Sequence, residues 1–599
     1  MSFARALATL LLAAATPALA QDFRQRLPED ETIYFVLPDR FENGDPANDR
    51  GGLSGGPLET GFDPTHKGFF HGGDLKGLTD RLDYIQGLGA TAIWLGPIFK
   101  NKPVQGGPGQ ESAGYHGYWI TDFTTVDPHF GTEAEFRALV DAAHARGMKV
   151  YMDIITNHTA DVIQYGDDCG YQSCPYRGRA AYPYSRRGGL NGPTINPGFL
   201  GDQIRTRANF DKLTDPRWAY TPIVPPAERG VKVPAWLNDP IHYHNRGNTT
   251  FTGESSTMGD FVGLDDLMTE SPRVIEGMIE IYGAWIDKYG VDGFRVDTAR
   301  HVNPEFWQVF VPAMIERAKA RGIPNFHIFG EVARGGVEAG PFAVHTRVDG
   351  FPAVLDFAFR NAVNQVAGGP DGPDVLEHMF LGDALYEGGA KAARQLPTFI
   401  SNHDAGRFAH YARKALPQAS DDEILRRTEL AHAMMLLLRG VPTIYSGDEQ
   451  GFAGDGGDQD AREDMFESEV ALYNDNRLLG TTRTTADANF DRDHPLYRAI
   501  AKLAKLRADH GALRRGRQLI RTYAEEPGIF AVSRIEDAGG EVLIVFNTAG
   551  TPFAGPVEID PAARRLATLH GACPAAPAAP GSAVFEISAF GYAVCEVRK

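Results

Sequence analysis

The sequence predicts an α/β fold: a (β/α)8 (TIM) barrel with an irregular segment inserted in it and a small antiparallel β-sandwich after it. Three observations carry that expectation. Eight short β-branched or aromatic runs alternate with helix-length amphipathic stretches, the pattern of a parallel barrel. Four of those runs end abruptly in acids, His and Asn: KVYMDIITNH (Lys149 to His158), GFRVDTARH (Gly293 to His301), HIFGEV (His327 to Val332) and TFISNHD (Thr398 to Asp404). A buried strand that becomes polar at its end is a barrel strand leaving the core at the active-site face. The alternation then fails twice, over 159–267 and again after 515.

In chain order, residues 1–20 read as a secretory leader. Arg5 precedes the apolar stretch Leu7 to Ala15, and Ala18-Leu19-Ala20 precedes Gln21. The apolar part is too short to anchor in a bilayer. Strands are expected at Thr32 to Leu37, Ala92 to Leu95, Val150 to Ile155, Gly293 to Val296, His327 to Gly330, Ala353 to Phe357, Thr398 to Ser401 and Thr443 to Ser446, which assigns the barrel to 21–158 and 268–515. The helices between them have physical ends. Thr132 with Glu135 forms a capping box ahead of Phe136, Leu139, Val140 and Ala143, and Gly147 supplies the left-handed stop. Ser420 with Glu423 starts another helix, which Gly440 and Pro442 end.

Over 159–267 the chain is rich in Gly, Pro, Asn, Tyr and Arg, too long for a loop, and is expected to form an irregular inserted domain. From 516 to 599 short alternating runs, such as Ile529 to Ser533, Glu541 to Phe546 and Ala583 to Ile587, predict the sandwich. The formal net charge is −18, and loss of Arg5 with the leader makes the mature chain one charge more acidic. Such a surface repels nucleic acid and anionic membrane but not a neutral substrate. An exported chain favours disulfides, and proximity in sequence pairs Cys169 with Cys174 and Cys573 with Cys595. A metal site at either pair would need His partners that neither has nearby.

As a set and in this order, the four motifs resemble the α-amylase family of glycoside hydrolases. The resemblance makes 159–267 the counterpart of domain B and implies a retaining cleavage of α-1,4-glucosidic bonds in starch, glycogen or maltodextrins. Such a reaction needs one carboxylate to attack the anomeric carbon and one protonated acid to release the leaving oxygen, ~5 to 5.5 Å apart. By motif match Asp297 is the nucleophile, Glu331 the general acid/base, and Asp404 the third acid, which binds ring hydroxyls. Arg295, two residues before Asp297, points to the same face of its strand and would hold that carboxylate ionised. His158 and His403 would bind hydroxyls, Tyr118 in YHGYW would stack on the sugar, and Arg300 and His301 would reach the leaving-group sugars.

The resemblance also implies one or two Ca²⁺ ions, which take six to eight hard oxygen ligands. One set is Asn157, Asp266 and the carbonyl of His301, with Asp167 or Asp168 as a further ligand. The other lies in DRFENGDPANDR and HGGD: Asn43, Asp45, Asn48, Asp49, Gly72 and Asp74, similar to the N-terminal loop of cyclodextrin glucanotransferases. An ion-free Asx-rich turn is the alternative there. Two departures stand out: Arg300-His301 replaces the family's Lys-His, and Leu264-Asp265-Asp266-Leu267 replaces Leu-Pro-Asp-Leu.

Three readings compete. The first is a secreted or periplasmic monomeric hydrolase acting on α-glucan, without nucleic-acid or membrane partners. The second is a glucanotransferase or a cyclodextrin- or maltodextrin-degrading enzyme, against which stands the expectation that transferases carry further starch-binding domains. The third is a non-catalytic amylase-like binding protein, which would typically have lost the acids retained here.

Overall fold

The computed structural model describes residues 23–166, 169 and 174–599. The leader at 1–20 and the ligand choice between Asp167 and Asp168 lie outside the described residues.

Eight strands form one parallel sheet: β1 (Ile33–Val36), β2 (Ala92–Leu95), β3 (Lys149–Ile154), β4 (Gly293–Val296), β5 (His327–Gly330), β6 (Ala353–Val354), β7 (Pro397–Thr398) and β8 (Val441–Tyr445). Their order is β6-β5-β4-β3-β2-β1-β8-β7, that of a barrel. Every residue in them is buried, as expected of strands with the barrel interior on one side and helices on the other. Between β6 and β7 the Asp356 N–H donates to the Pro397 carbonyl at 2.9 Å, so the barrel is nearly closed by a single bond instead of a ladder.

The longer helices are α1 (Glu133–Ala145), α2 (Pro272–Tyr289), α3 (Pro304–Ala320), α4 (Phe357–Val366), α5 (Asp421–Leu437) and α6 (Pro495–Asp509). α1 starts with the expected reciprocal cap: Thr132 Oγ1 accepts from Glu135 N at 3.2 Å and the Glu135 carboxylate accepts from Thr132 N at 2.7 Å. Ser420 Oγ accepts from Glu423 N at 3.2 Å to start α5. The left-handed φ values of +71° at Gly147 and +121° at Gly440 end the two helices, a conformation glycine adopts without cost from a Cβ. The sixth strand is shorter than expected. Asp356 accepts from Phe359 N at 2.9 Å, so Phe357 begins α4 and does not end a strand.

Among the described residues of 159–267 no strand exceeds two residues and no helix exceeds four. The segment has its own apolar cluster, including Tyr184, Ile195, Leu213 and Trp218, beside the Cys169–Cys174 disulfide. Antiparallel pairing of Thr159 with Asp265 and of His158 with Asp266 closes its base, so the chain leaves the barrel and re-enters it at one point above β3.

The C-terminal strands are β9 (Arg517–Tyr523), β10 (Ile529–Ile535), β11 (Glu541–Asn547), β12 (Phe553–Glu558), β13 (Arg565–His570), β14 (Ser582–Ile587) and β15 (Tyr592–Arg598). They form an antiparallel sheet in the order β9-β10-β11-β15-β13 and a second pair, β12-β14. Leu543, Val545, Val557 and Phe585 fill the space between the sheets, which makes a sandwich, and Cys573 is bonded to Cys595.

Candidate active site

The register of β4 against β5 pairs Val296 with Gly330. The next residue on each strand is an acid, Asp297 and Glu331, so the two carboxyls leave the barrel side by side on strands that lie about 4.8 Å apart. The backbone holds both at that level: Asp297 N donates to Ile154 O at 2.9 Å and Glu331 N to Val296 O at 2.8 Å. Thr298 follows with φ +47°, a left-handed turn that aims its N–H at Glu331 Oε2, 3.0 Å away.

One buried guanidinium faces both acids. Arg295 Nη1 donates to Asp297 Oδ1 at 2.9 Å and to Asp153 Oδ1 at 2.7 Å. Its Nη2 lies 2.9 Å from Glu331 Oε2, an ion pair without the alignment of a hydrogen bond. Asp297 is pushed up to about 7 by burial, against the pull of Arg295 and with the push of Asp153 and Asp404. Glu331 is likewise pushed up to about 7, by burial first and then by Asp297 and Asp404, with Arg295 opposing. Two acids this close share their protons, and the first charge formed keeps the second proton on. Asp297 has the aligned Arg295 bond, so it is the one favoured to ionise.

Asp404 arrives from the loop after β7. Its Oδ1 accepts from Arg462 Nη2 at 2.9 Å, and its Oδ2 is 3.3 Å from His403 Nε2. His403 is fully buried, stacks on Tyr118 at 5.6 Å and 16°, and meets the Tyr118 hydroxyl with Nε2 at 2.7 Å. Burial pushes His403 well below the usual range and His158 down to about 3, so both imidazoles are neutral at ordinary pH. His403 Nδ1 and His158 Nε2 are buried without a protein partner. Arg300 and His301, expected at the leaving-group sugars, also bond within the protein. Arg300 donates to the carbonyls of Ala333 and Phe251, and His301 Nδ1 donates to the Ser256 carbonyl at 2.8 Å.

Sequence reasoning missed three members. Asp153 lies inside β3 and is fully buried, bonded to Arg295, to the Tyr118 hydroxyl at 3.1 Å and to Trp94 Nε1 at 3.0 Å. An acid in the middle of an apolar run was its signal. Trp94 looked like ordinary core. Arg462 comes from a segment without periodicity and offered no signal.

The residues named for calcium divide into two groups. In the N-terminal loop, Asn43 Nδ2 donates to Asp49 at 2.9 Å and Asn48 Nδ2 to Asp74 at 3.1 Å, while Asn43 Oδ1 and Asn48 Oδ1 are buried without partners. A Cβ on Gly72, whose φ is +100°, would stand 2.6 Å from Asn43 Nδ2 and 2.7 Å from Asp49 Oδ1. Asp45 lies against the same cluster, its N–H donating to Asp74 Oδ2 at 2.8 Å. Converging orphan oxygens and carboxylates around a glycine-sized space fit a hard cation. At the other set, Leu267 N donates to Asn157 O at 2.9 Å, which brings Asn157 beside Asp266. One oxygen of Asp266, however, accepts from His244 Nδ1 at 2.6 Å, and His244 Nε2 donates to Glu270 at 2.9 Å. The buried Asp260 also lies beside this set: its Oδ1 accepts from Asp266 N at 3.3 Å and its Oδ2 from the Tyr165 hydroxyl at 2.6 Å. Among the described residues no group of three His, Cys, Asp or Glu side chains is arranged to hold a metal by itself.

A parallel barrel with neighbouring acids at its C-terminal rim, bridged by one arginine, has the framework of the barrel glycoside hydrolases. The α-amylase catalytic-domain profile matches residues 35–516, and the chain belongs to the α-amylase family. It is 46% identical over 521 residues to an α-amylase of Streptomyces lividans, covering 87% of this chain and 55% of that protein. It is 29% identical to the periplasmic α-amylase of Escherichia coli, covering 74% of this chain and 64% of that one. The chain thus spans between about half and two thirds of the length of these relatives. Among solved structures it resembles a cyclomaltodextrin glucanotransferase described as having a three-domain ABC distribution, with a TM-score of 0.70, 25% identity, and 95% and 99% of the two chains covered.

Proposed function

We propose that the protein is a retaining hydrolase of α-1,4-glucosidic bonds in starch, glycogen or maltodextrins. The observation that carries the reading is the pairing of Asp297 with Glu331 on adjacent strand ends around one Arg295; a retaining mechanism needs its two carboxyls as neighbours. Asp297, ionised, attacks the anomeric carbon while the Glu331 carboxyl gives its proton to the leaving oxygen. The glycosyl–Asp297 ester that forms is opened by water as Glu331 takes a proton back. Asp404, held by Arg462, binds ring hydroxyls. His158 and His403 would hydrogen-bond other hydroxyls, and Tyr118 would stack on the sugar. Asp153 fixes Arg295 and Tyr118 from below.

In this reading 21–158 and 268–515 form the barrel domain, 159–267 domain B and 516–599 the C-terminal domain. Ca²⁺ would be held in the N-terminal loop by Asn43, Asp45, Asn48, Asp49, Asp74 and the backbone at Gly72, and between barrel and domain B by Asn157, Asp266 and the His301 carbonyl. When bound it supplies charge neutralisation that ties segments together. The leader sequence and the two disulfides favour export, and no helix among the described residues is long and apolar enough to cross a membrane.

Transglycosylation remains the second reading, favoured by the likeness to a three-domain glucanotransferase. That likeness removes the argument from missing starch-binding domains. The test of the first reading is Asp297→Asn, which should lower kcat on maltodextrin by several orders of magnitude with the melting curve retained. More than a few per cent residual activity would refute the role.

A further inference from the structure

Two loops hold the third acid and its arginine: Asp404 follows β7, and Arg462 lies in the segment that follows β8. A second ion pair of opposite polarity crosses between the same loops. Arg407, three residues beyond Asp404, meets Glu463, the residue next to Arg462. Arg407 Nε donates to Glu463 Oε2 at 3.1 Å, and its Nη1 donates to Asp448 Oδ1 at 2.9 Å and to the Ser446 carbonyl at 2.8 Å. Each loop thus supplies one acid and one arginine, and the arginine of each is bound by the acid of the other.

The two pairs differ in their surroundings. Arg407, Glu463 and Asp448 are all buried, and the guanidinium lies over the Tyr445 ring, 3.9 Å from its centroid. Asp404 has 43% of its side chain exposed, open to a substrate, and the Arg462 that holds it is also drawn to the exposed Asp458, 2.5 Å from Nη2. A half-exposed carboxylate on a loop has many directions available to it. A buried ion pair persists only in good geometry, so the pair beneath the site fixes a register that the open pair above it cannot fix alone.

We propose that Arg407 and Glu463 are a positioning pair: their buried bond sets the loop after β8 against the loop after β7, so that Arg462 aims the Asp404 carboxylate at the sugar ring. Asp448 and the Ser446 carbonyl, just beyond β8, tie the guanidinium to the barrel, which supplies the fixed reference. Arginine is suited to this because its planar fork meets Glu463 with one nitrogen and Asp448 with another, whereas a lysine offers one mobile point charge. The proposal rests on the α-glucan hydrolase reading for the task of Asp404 and on the hydrogen bonds for its mechanism.

A double-mutant cycle with Asp404 tests it. On maltohexaose, Arg407→Met should lower kcat/KM about a hundredfold, mostly through kcat, and Arg407→Lys should not rescue. In an Asp404→Asn background the same change should lower it less than about threefold, because the group being positioned is already gone. An undiminished loss in that background, or rescue by lysine, would overturn the assignment. Arg407→Met strands two buried acids, so Arg407→Met/Glu463→Gln, which neutralises one of them, separates stability from positioning. Its melting temperature should recover part of the loss while kcat stays low; kcat that recovers with the melting temperature would mean a structural role alone. Glu463→Gln keeps the shape of the side chain and serves the same cycle if Arg407→Met does not fold, with a loss of about tenfold that Asp404→Asn again suppresses. Hydrogen exchange supplies a measurement independent of activity. The Asp458 amide, which donates to the Asp404 carbonyl at 3.1 Å, should exchange faster in Glu463→Gln than in the unsubstituted protein without substrate, and unchanged protection would also overturn the assignment. If the unsubstituted protein does not cleave maltohexaose, the hydrolase reading fails while the exchange result still decides whether the pair holds the two loops together.

Discussion

Replacing Arg295 with methionine removes the guanidinium paired with Asp153, Asp297 and Glu331 while keeping much of the side chain's volume. At an N···O distance of 2.9 Å to Asp297, charge centres are about 4 Å apart, and with an effective dielectric of about 20 the attraction is about 4 kcal/mol. That is about a thousandfold in the ionisation equilibrium of Asp297. Burial already holds Asp297 at about 7, so without Arg295 it would be almost wholly protonated at neutral pH and unable to attack. The expected result is a loss of about a thousandfold in kcat/KM at pH 7 that narrows by about tenfold for each pH unit above it. Glu331 loses the same cation, so the alkaline limb should also move up. Stability should change with pH as well. Asp153, already raised to about 6 by burial against the pull of Arg295, would rise further above its unfolded value. Asp153's contribution to the variant's stability would then be fully present below the unfolded carboxylate range and be lost as pH rises through the folded value. The assay is kcat/KM on maltohexaose from pH 5 to 10 with melting curves across the same range. A loss below tenfold with both pH limbs unmoved would refute the reasoning.

Three further outcomes are expected. Glu331→Gln should be severely impaired on maltodextrin but much less so on aryl glycosides whose leaving groups need no proton, and equal loss on both, measured as kcat/KM, would remove its acid role. Calcium held by residues of separate segments stabilises only the folded state. Exhaustive chelation should therefore lower the melting temperature and added Ca²⁺ restore it, with Asn43→Ala abolishing part of that response. Thiol titration of the denatured, unreduced protein should find no free cysteine, given both disulfides.

The barrel was legible because buried parallel strands write themselves as apolar runs with polar ends, and the acids Asp297, Glu331 and Asp404 sit at three of those ends. The helix caps at Thr132 and Ser420 were legible for the same local reason. What depended on tertiary contact was not. Asp153 is functional in appearance only once Arg295, Trp94 and Tyr118 surround it, and Arg462 reaches Asp404 from a stretch without periodicity. The early end of β6 follows from a cap by Asp356 that competes with strand continuation. The carbonyls that Arg300 meets, those of Ala333 and Phe251, belong to residues far along the chain and gave no signal in sequence. His244, between Asp266 and Glu270, is invisible for the same reason. Burial alone would lower its pKa, but the two carboxylates push it up to about 10.

The central claim is that Asp297 and Glu331, side by side around Arg295, cleave an α-glucosidic bond with retention and pass the sugar to water. Proton NMR of the first products from maltohexaose at low substrate concentration, with chromatography of their lengths, tests it most directly. The account predicts short maltooligosaccharides released as α-anomers; initial β-anomers would contradict the retaining mechanism, and a majority of cyclic or lengthened products would contradict transfer to water.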